Sequence, residues 1–87
     1  MVDVLKAFAS LPRVKLVLCL KKGKKNVSQL IKSCGLSQSA VSQHLAKLKD
    51  WGLVEDEKKG KEVFYKIKKR GAISICEKLY RFVKKPL

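Results

Sequence analysis

The chain has 87 residues, of which 46% are hydrophobic, and a formal net charge of +14 at pH 7. One domain with one modest core fits this length, and the low content of proline and glycine argues against a disordered tail. A charge this high requires a polyanionic partner or a strongly solvated surface. Nucleic acid is the first candidate for that partner, and an anionic membrane surface is the second.

The first ten residues, MVDVLKAFAS, have the pattern of an amphipathic helix and not of a signal peptide. Asp3 and Lys6 interrupt the apolar residues, and no small-residue cleavage site follows them. No apolar run approaches the roughly 18 residues that a membrane span requires. We therefore expect a cytoplasmic protein without a membrane partner. Its first helix, over about residues 2–10, has an apolar half that includes Val4, Leu5 and Phe8.

A second and a third helix follow. Ser10 and Pro12 predict the start of the second helix, because serine caps helices and proline is tolerated in the first turn. This helix is apolar on almost all sides and is expected to be the central buried one. The segment KKGKK then ends it with a glycine and positive charge. Asn26 is expected to cap a short third helix, which Gly35 terminates.

A fourth helix is predicted to begin after Ser37, and a helix, a tight turn and a helix within about twenty residues outline a helix-turn-helix motif. Its apolar stripe, Val41, Leu45 and Leu48, is expected to face the core. Glutamine can bond an adenine edge and serine a base or a phosphate, so the polar face is suited to reading a DNA groove. A solvated amphipathic helix is the alternative. The predicted DNA-facing residues are Gln38, Ser39, Ser42, Gln43, His44 and Lys47.

After Gly52 the apolar residues recur with a period of about 2, which predicts a β-hairpin with its turn at Gly60. Three lysines surround that turn and can contact phosphates as a basic wing. In the alternative interpretation they only solubilise the turn or neutralise nearby carboxylates. The predicted wing residues are Lys58, Lys59, Gly60 and Lys61, and the carboxylates are Glu55, Asp56, Glu57 and Glu62.

The last helix is predicted over about residues 72–85, with one cleanly apolar half. A surface helix on a small core needs an apolar arc of a little over 100 degrees, and the first and last helices each show roughly 180 degrees. The surplus predicts an isologous homodimer through both terminal helices. The expected interface residues are Val4, Leu5, Phe8, Ile75, Leu79, Phe82 and Val83.

These elements predict a single domain, residues 1–87, that is mainly α with a small β-hairpin wing, in the order α-α-α-α-β-β-α. The segments SLPRVKLVLCL, VSQLIKSCGLSQSAVSQHLAKLKDWGLV and KKGKEVFYKI resemble the successive helices and wing of the ArsR/SmtB winged-helix repressors. The resemblance covers about Ser10 to Ile67, with an appended final helix as in the family. It implies a dimeric transcriptional regulator of double-stranded DNA with a palindromic operator. Family positions that match Gln38, Ser39, Ser42 and Gln43 contact DNA.

The chain departs from the metal-sensing members of that family. Their third helix carries a Cys-x-Cys motif where this chain has Asn26, Val27 and Ser28, and their last helix carries aspartate and histidine ligands where this chain offers only Glu77. We therefore expect neither a metal nor another cofactor. The lone histidine, His44, is expected to pack at the edge of the core stripe or to contact a phosphate, because zinc needs several converging ligands.

The three cysteines, Cys19, Cys34 and Cys76, are widely separated and odd in number, so no disulfide framework or Cys-x-x-Cys pair is expected. A second branch of the resembled family senses persulfide or oxidant through a cysteine in the second helix, which Cys19 matches, and another near the end of the last helix, which is missing here. Cys76 lies about two helical turns earlier. Two interpretations follow: three buried cysteines that act as small hydrophobes, or a thiol-responsive repressor that uses Cys19 and, with a different packing, Cys76.

Two other functional classes are compatible with the charge of the chain. A nonspecific architectural protein would use the same charge without reading bases, and an RNA-binding protein would need an aromatic platform, for which the strands offer only Phe64 and Tyr65. An enzyme is not expected, because the one histidine lies on the predicted DNA face and the sequence has no glycine-rich phosphate loop or plausible carboxylate pair.

Overall fold

The computed structural model describes residues 4–84, and the terminal positions Val2, Asp3 and Lys85, which the predicted helices included, lie outside that range. The mainly α fold with a β-hairpin wing is confirmed. The elements in chain order are α1 (Val4–Ala7), α2 (Leu11–Cys19), β1 (Lys25–Asn26), α3 (Val27–Cys34), α4 (Gln38–Asp50), β2 (Val54–Lys59), β3 (Glu62–Ile67) and α5 (Gly71–Lys84).

The predicted order needs one correction, at the segment KKGKK. Lys25 and Asn26 form a short strand, β1, that pairs antiparallel with Tyr65 and Phe64 of β3. The wing is therefore the outer part of a three-stranded sheet in the order β1-β3-β2. Two residues are too few to show a period of 2, and their partners come much later in the chain, so the sequence pattern could not reveal this strand.

The first helix is also shorter than predicted. α1 ends at Ala7, and a hydrogen bond of 3.3 Å from the Ala9 N–H to the Lys6 carbonyl closes the turn that follows it. Ser10 stands at the N-cap of α2 as expected, and Pro12 lies in its first turn. The Ser10 side chain makes no capping hydrogen bond, so its contribution is limited to its extended backbone.

Local signals set both ends of the helix-turn-helix segment. The Asn26 side chain accepts from the Gln29 N–H at 2.8 Å and the Gln29 side chain accepts from the Asn26 N–H at 2.9 Å, a complete capping box at the start of α3. Gly35 ends α3 in the left-handed region, with φ 68°. Ser37 then caps α4 by accepting from the Ala40 N–H at 3.1 Å.

α2 lies at the centre of the core, as predicted. Its side chains pack against the inner face of α4 and the first turns of α5, and the hairpin closes the core from one side. No helix within residues 4–84 is long and apolar enough to cross a membrane. The buried residues are Ala7, Val14, Leu16, Val17, Leu20, Leu30, Val41, Leu45, Leu48, Leu53, Val54, Ile67, Ala72, Ile73 and Cys76.

Candidate nucleic-acid interface

The fourth helix holds a polar face in fixed orientation. Val41, Leu45 and Leu48 are fully buried and hold the inner side of α4 on the core. Since 3.6 residues make one turn, this anchoring leaves the opposite side in solvent. The exposed side chains there are Ser39, Ser42, Gln43 and Lys47, and Gln38 is exposed in the first turn of the helix. The structure therefore exposes five of the six residues predicted for this helix, four of them on one face.

The amino-terminal turn of α4 is the most polar part of that face. Gln38 and Ser39 follow the N-cap Ser37, and the hydroxyl oxygens of Ser37 and Ser39 lie 3.4 Å apart. The amino end of a helix carries partial positive charge and presents N–H groups that have no partner within the helix. This end of α4 is suited to approach a phosphate or the acceptor-rich edge of a base pair.

His44, the sixth predicted residue, lies at the border between this face and the core. It is half-buried, and burial lowers the pKa of the imidazole, with smaller contributions from the positive charges of Arg13 and Lys47. Its Nδ1 is buried and has no hydrogen-bond partner within residues 4–84. His44 thus stays neutral near pH 7, in keeping with the packing role that the sequence analysis considered.

The position of Arg13 beside α4 is not evident from the sequence. Its guanidinium carbon lies 5.0 Å from the ring centroid of Trp51, and its charge contributes to the lowered pKa of His44. The cation thereby connects the first turn of α2 with the middle of α4, at His44, and with its C-cap, Trp51. The available signal was a charged residue directly after Pro12 in a helix that is otherwise expected to be buried.

The hairpin carries exposed lysines at its tip. Strands β2 and β3 pair from Val54 with Ile67 to Lys59 with Glu62, so Gly60 and Lys61 form the turn. Gly60 has φ 61°, the left-handed conformation that the turn was predicted to need. Lys58, Lys59 and Lys61 are all exposed around it.

The carboxylates of β2 pair with lysines outside the tip. The ion pairs are Lys49–Asp56 at 2.9 Å, Lys24–Glu57 at 3.3 Å and Lys66–Glu55 at 3.5 Å. Among the described residues no ion pair uses a tip lysine. This arrangement argues against the alternative in which the tip lysines serve to neutralise these three carboxylates.

The Lys49–Asp56 pair connects the DNA-facing helix with the wing. Lys49 belongs to the last turn of α4 and Asp56 to β2, and the hydrogen bond from Lys49 lowers the pKa of Asp56. Both side chains are substantially exposed, so the ion pair is expected to stabilise the fold only slightly. It is a direct side-chain contact between the hairpin and the helix.

Lys24 extends the basic tip and was not predicted as part of it. Its ammonium lies 5.5 Å from the ring centroid of Phe64 and next to Lys59, and the close approach of the Lys24 side chain lowers the pKa of Lys59. Because β1 pairs with β3, the loop before β1 is held beside the wing. Two adjacent cations favour an anion such as a phosphate between or over them.

The cysteines are arranged differently from both sequence-based interpretations. Cys19 and Cys34 form a disulfide, with 6.5 Å between their Cα atoms, whereas Cys76 is a fully buried thiol. Burial raises the pKa of Cys76 to about 11. The expectation of three unpaired small hydrophobes is wrong for Cys19 and Cys34, and so is the suggested pairing of Cys19 with Cys76. The reason is that α2 and α3 pack with their carboxyl ends together.

No metal centre is formed in the part of the chain that the structure describes. Groups of three or more His, Cys, Asp or Glu side chains with a metal-binding arrangement do not occur within residues 4–84. Glu77, the carboxylate on the last helix, forms an ion pair with Lys21 instead.

The terminal helices leave apolar side chains in solvent. On α5, Ile75 is 46% exposed, Phe82 73% and Val83 60%. Phe8 and Leu79, also predicted for the interface, are half-buried and line a groove of about 210 Å³ between the α1–α2 region and α5. Of the remaining predicted interface residues, Val4 and Leu5 lie in α1, where only the backbone is described.

Comparisons with known proteins agree with this geometry. Residues 12–56 match the model of the family "Bacterial regulatory protein, arsR family". The transcriptional activator HlyU of Vibrio cholerae is 38% identical over 80 residues, which is 92% of this chain and 74% of that protein.

Solved structures of similar proteins share the fold over almost the whole chain. The transcriptional repressor BigR from Xylella fastidiosa superposes with a TM-score of 0.83 at 29% identity, covering 95% of this chain and 85% of that one. A homodimeric winged helix-turn-helix DNA-binding domain from Mycobacterium bovis has a TM-score of 0.76 at 25% identity, covering 92% and 74% of the two chains.

Proposed function

The chain belongs to the ArsR family of bacterial regulatory proteins, and from this premise we propose that it is a homodimeric repressor that binds a palindromic operator. DNA binding and transcription regulation follow from the family and from the winged helix-turn-helix fold. We also propose which residues read the operator, how two copies combine and whether transcription rises or falls.

The polar face of α4 is the observation that carries the proposal. A nonspecific DNA-binding surface needs only cations, yet this face presents Gln38, Ser42 and Gln43 on a helix whose other side is locked into the core. An amide side chain can donate to and accept from one adenine edge at once, and a serine hydroxyl can do either. We infer that these side chains read bases in the major groove.

The lysines have a different task in this proposal. Lys58, Lys59 and Lys61 at the wing tip, with Lys24 beside them, are placed to contact phosphates next to the groove that α4 enters. Such contacts supply affinity that falls with salt and does not depend on sequence. Base readout and phosphate contacts thus come from separate elements, which the Lys49–Asp56 pair joins.

Dimerisation follows from the uncovered apolar surface on α5. Ile75, Phe82 and Val83 expose large apolar areas on one helix, and a second copy related by a two-fold axis would cover them with the same residues. The homodimeric state of the Mycobacterium bovis domain supports this arrangement. Two α4 helices related by a two-fold axis would bind half-sites about 34 Å apart, or a multiple of that distance.

Repression is the simplest outcome for such a dimer. Occupying an operator that overlaps a promoter excludes the polymerase without any further contact, whereas activation requires an additional surface that engages the transcription machinery. The proposed repressor needs no bound metal, because the sequence lacks the family's ligand pattern and the lone His44 is half-buried near two cations. It catalyses no reaction.

Selection of bound duplexes from a random double-stranded DNA pool, at about 150 mM salt, tests base readout and symmetry together. We expect enrichment of a two-fold symmetric motif with half-sites about one helical turn apart. Gln43→Ala and Ser42→Ala are each expected to weaken binding to that motif by about 1–3 kcal/mol and to relax the preference at one position of each half-site.

Ser74→Ala is the matched control, because Ser74 is an exposed helical serine on α5, away from α4. It should leave the selected motif and the affinity unchanged. A pool in which nothing enriches, from a protein that still binds duplex at low salt, would instead establish nonspecific architectural binding driven by the charge of +14.

A further inference from the structure

We propose that Cys19 and Cys34 are a reversible thiol-modification site that exchanges with small anionic disulfides. The two residues are the last of α2 and of α3, and their sulfurs are bonded. Both side chains are only partly buried. A pair at this separation can pass between a dithiol and a disulfide with the helices in place, because the Cα separation of 6.5 Å lies within the range for disulfides.

A cavity gives reagents access to the pair. It has a volume of about 370 Å³, and its wall includes both sulfur-bearing residues together with Lys15, Leu18, Ser33 and Tyr80. A volume of this size admits a small peptide-like thiol. Cys76 provides the internal contrast, because it is fully buried in the core and its thiol is kept protonated. Reactivity is therefore expected at two of the three cysteines.

Positive charge around the cavity determines which reagents suit it. Lys15 contributes to the wall, and the Lys25 ammonium donates a hydrogen bond of 2.6 Å to the carbonyl of Cys19. Lys15 thus lines the cavity and the Lys25 ammonium lies beside the Cys19 backbone, and these two positive charges favour a reagent that carries carboxylates. Oxidised glutathione is a disulfide that carries carboxylates, whereas cystamine is a cationic disulfide.

The exchange is a balanced two-electron reaction. In the reduced protein one cysteine thiolate attacks a sulfur of the reagent, the reagent's S–S bond breaks, and the first small thiolate leaves a mixed disulfide behind. The second cysteine thiolate then attacks the protein sulfur of that mixed disulfide and expels the second small thiolate. The two cysteine thiols lose two protons and two electrons, and the reagent is reduced to two thiols.

The position of the bond connects this chemistry with DNA binding. Cys34 precedes Gly35, which forms the turn of the helix-turn-helix, and lies three residues before Ser37, the N-cap of α4. The disulfide ties this turn to α2, whose other side is part of the core. Oxidation is thus expected to restrict opening of the turn that orients α4. This consequence, unlike the chemistry, rests on the proposed function.

Peptide mapping tests the site without DNA. The reduced protein is incubated with oxidised glutathione, alkylated and cleaved with trypsin, which separates residues 16–21, 33–47 and 71–78. We expect a disulfide between the first two peptides and an alkylatable Cys76 only after denaturation. Cys76→Ala should keep the linkage, whereas Cys34→Ser should stop at a glutathione adduct on Cys19. A linkage that contains Cys76, or no linkage in the folded wild type, would overturn the proposal.

The rate comparison tests the reagent class. Oxidised glutathione is expected to react several-fold faster than cystamine with the folded protein, and Lys15→Gln should narrow that ratio. Urea-unfolded protein, which keeps the net charge but loses the cavity, is the control for the overall charge. The assignment of an anion-selective site would be refuted if cystamine reacted faster. It would also be refuted if the ratio of the two reaction rates were the same in the folded and the unfolded protein.

Hydrogen exchange and DNA affinity test the consequence. Amides of residues 33–38 should exchange several-fold more slowly in the oxidised than in the reduced protein, and this difference should vanish in Cys34→Ser. The oxidised protein should also bind the selected operator about threefold or more tightly, because the turn is ordered before binding. If hydrogen exchange changes and DNA affinity does not, only the proposed effect of oxidation on DNA binding is refuted. If the protein selects no operator, the proposed function is refuted, and the peptide map still tests the thiol site independently.

Discussion

His44 shows how much one residue's surroundings decide about its role. On the helical wheel it belongs to the edge of the stripe formed by Val41, Leu45 and Leu48, and in the structure it is half-buried beside Arg13. The wheel could place His44 at this border because helix periodicity alone determines that position. The lowered pKa could not be foreseen, because Arg13 arrives from another helix.

This environment predicts a loss of stability in mild acid. Because burial and the nearby cations lower the pKa of His44 in the folded protein, the unfolded chain binds a proton more readily. The stabilisation is complete above the unfolded pKa of about 6.5 and is lost as the pH falls through the folded pKa. We expect the Tm of the wild type to fall between pH 7 and pH 5.5.

The variant His44→Gln isolates the contribution of His44 to the pH dependence of the Tm, since glutamine does not titrate. Its Tm should vary less over the same interval. The carboxylates with lowered pKa values, Asp56, Glu57 and Glu77, lose their contribution only below about pH 4.5 and do not interfere. Equal slopes for variant and wild type would contradict the assignment.

At the scale of elements, the caps of the helix-turn-helix segment are the strongest local determinants. Asn26, Gly35 and Ser37 each occupy the position that the sequence predicted, because capping depends on side chains within one turn of the helix end. β1 is the opposite case. Its two residues form a strand only because β3 passes beside them.

The two N-caps of α2 and α3 offer a matched pair of variants. Asn26→Ala removes a side chain that accepts a backbone hydrogen bond in a complete capping box and is expected to lower the free energy of unfolding by about 1 kcal/mol. Ser10→Ala removes a side chain that makes no such bond and should cost clearly less. Urea unfolding of both proteins measures the difference, and equal losses would show that the capping box is not what stabilises α3.

At the scale of the whole molecule, the outer face of α5 is notable because it exposes large apolar side chains to solvent. Burial of α5's first turns in the core accounts for Ala72, Ile73 and Cys76, yet Phe82 and Val83 remain in solvent. In a chain of net charge +14, electrostatic repulsion opposes association, so the apolar contact of the proposed dimer would have to outweigh it. We therefore expect the proposed dimer to become tighter as salt screens the charge.

Phe82→Glu tests this interface. In the proposed dimer each copy would lose one interface phenylalanine side chain, which should weaken association by about 3 kcal/mol or more, roughly a hundredfold. Ser74→Glu introduces the same charge on an exposed position of α5 and should leave the dimer intact. Sedimentation at micromolar concentration distinguishes these outcomes. A monomeric wild type, or a dimer that Phe82→Glu does not affect, would refute the proposed interface.

The sequence by itself determined the features that depend on neighbours along the chain. The helix periods, the caps at Asn26 and Ser37, the turn at Gly60 and the polar face of α4 all follow from spacing and side-chain chemistry within a few residues. The tertiary structure alone decided which distant residues meet. It brought Cys34 to Cys19, Arg13 to Trp51 and Lys24 to the wing, because helix packing and strand pairing set those distances and leave no periodic signal in the chain.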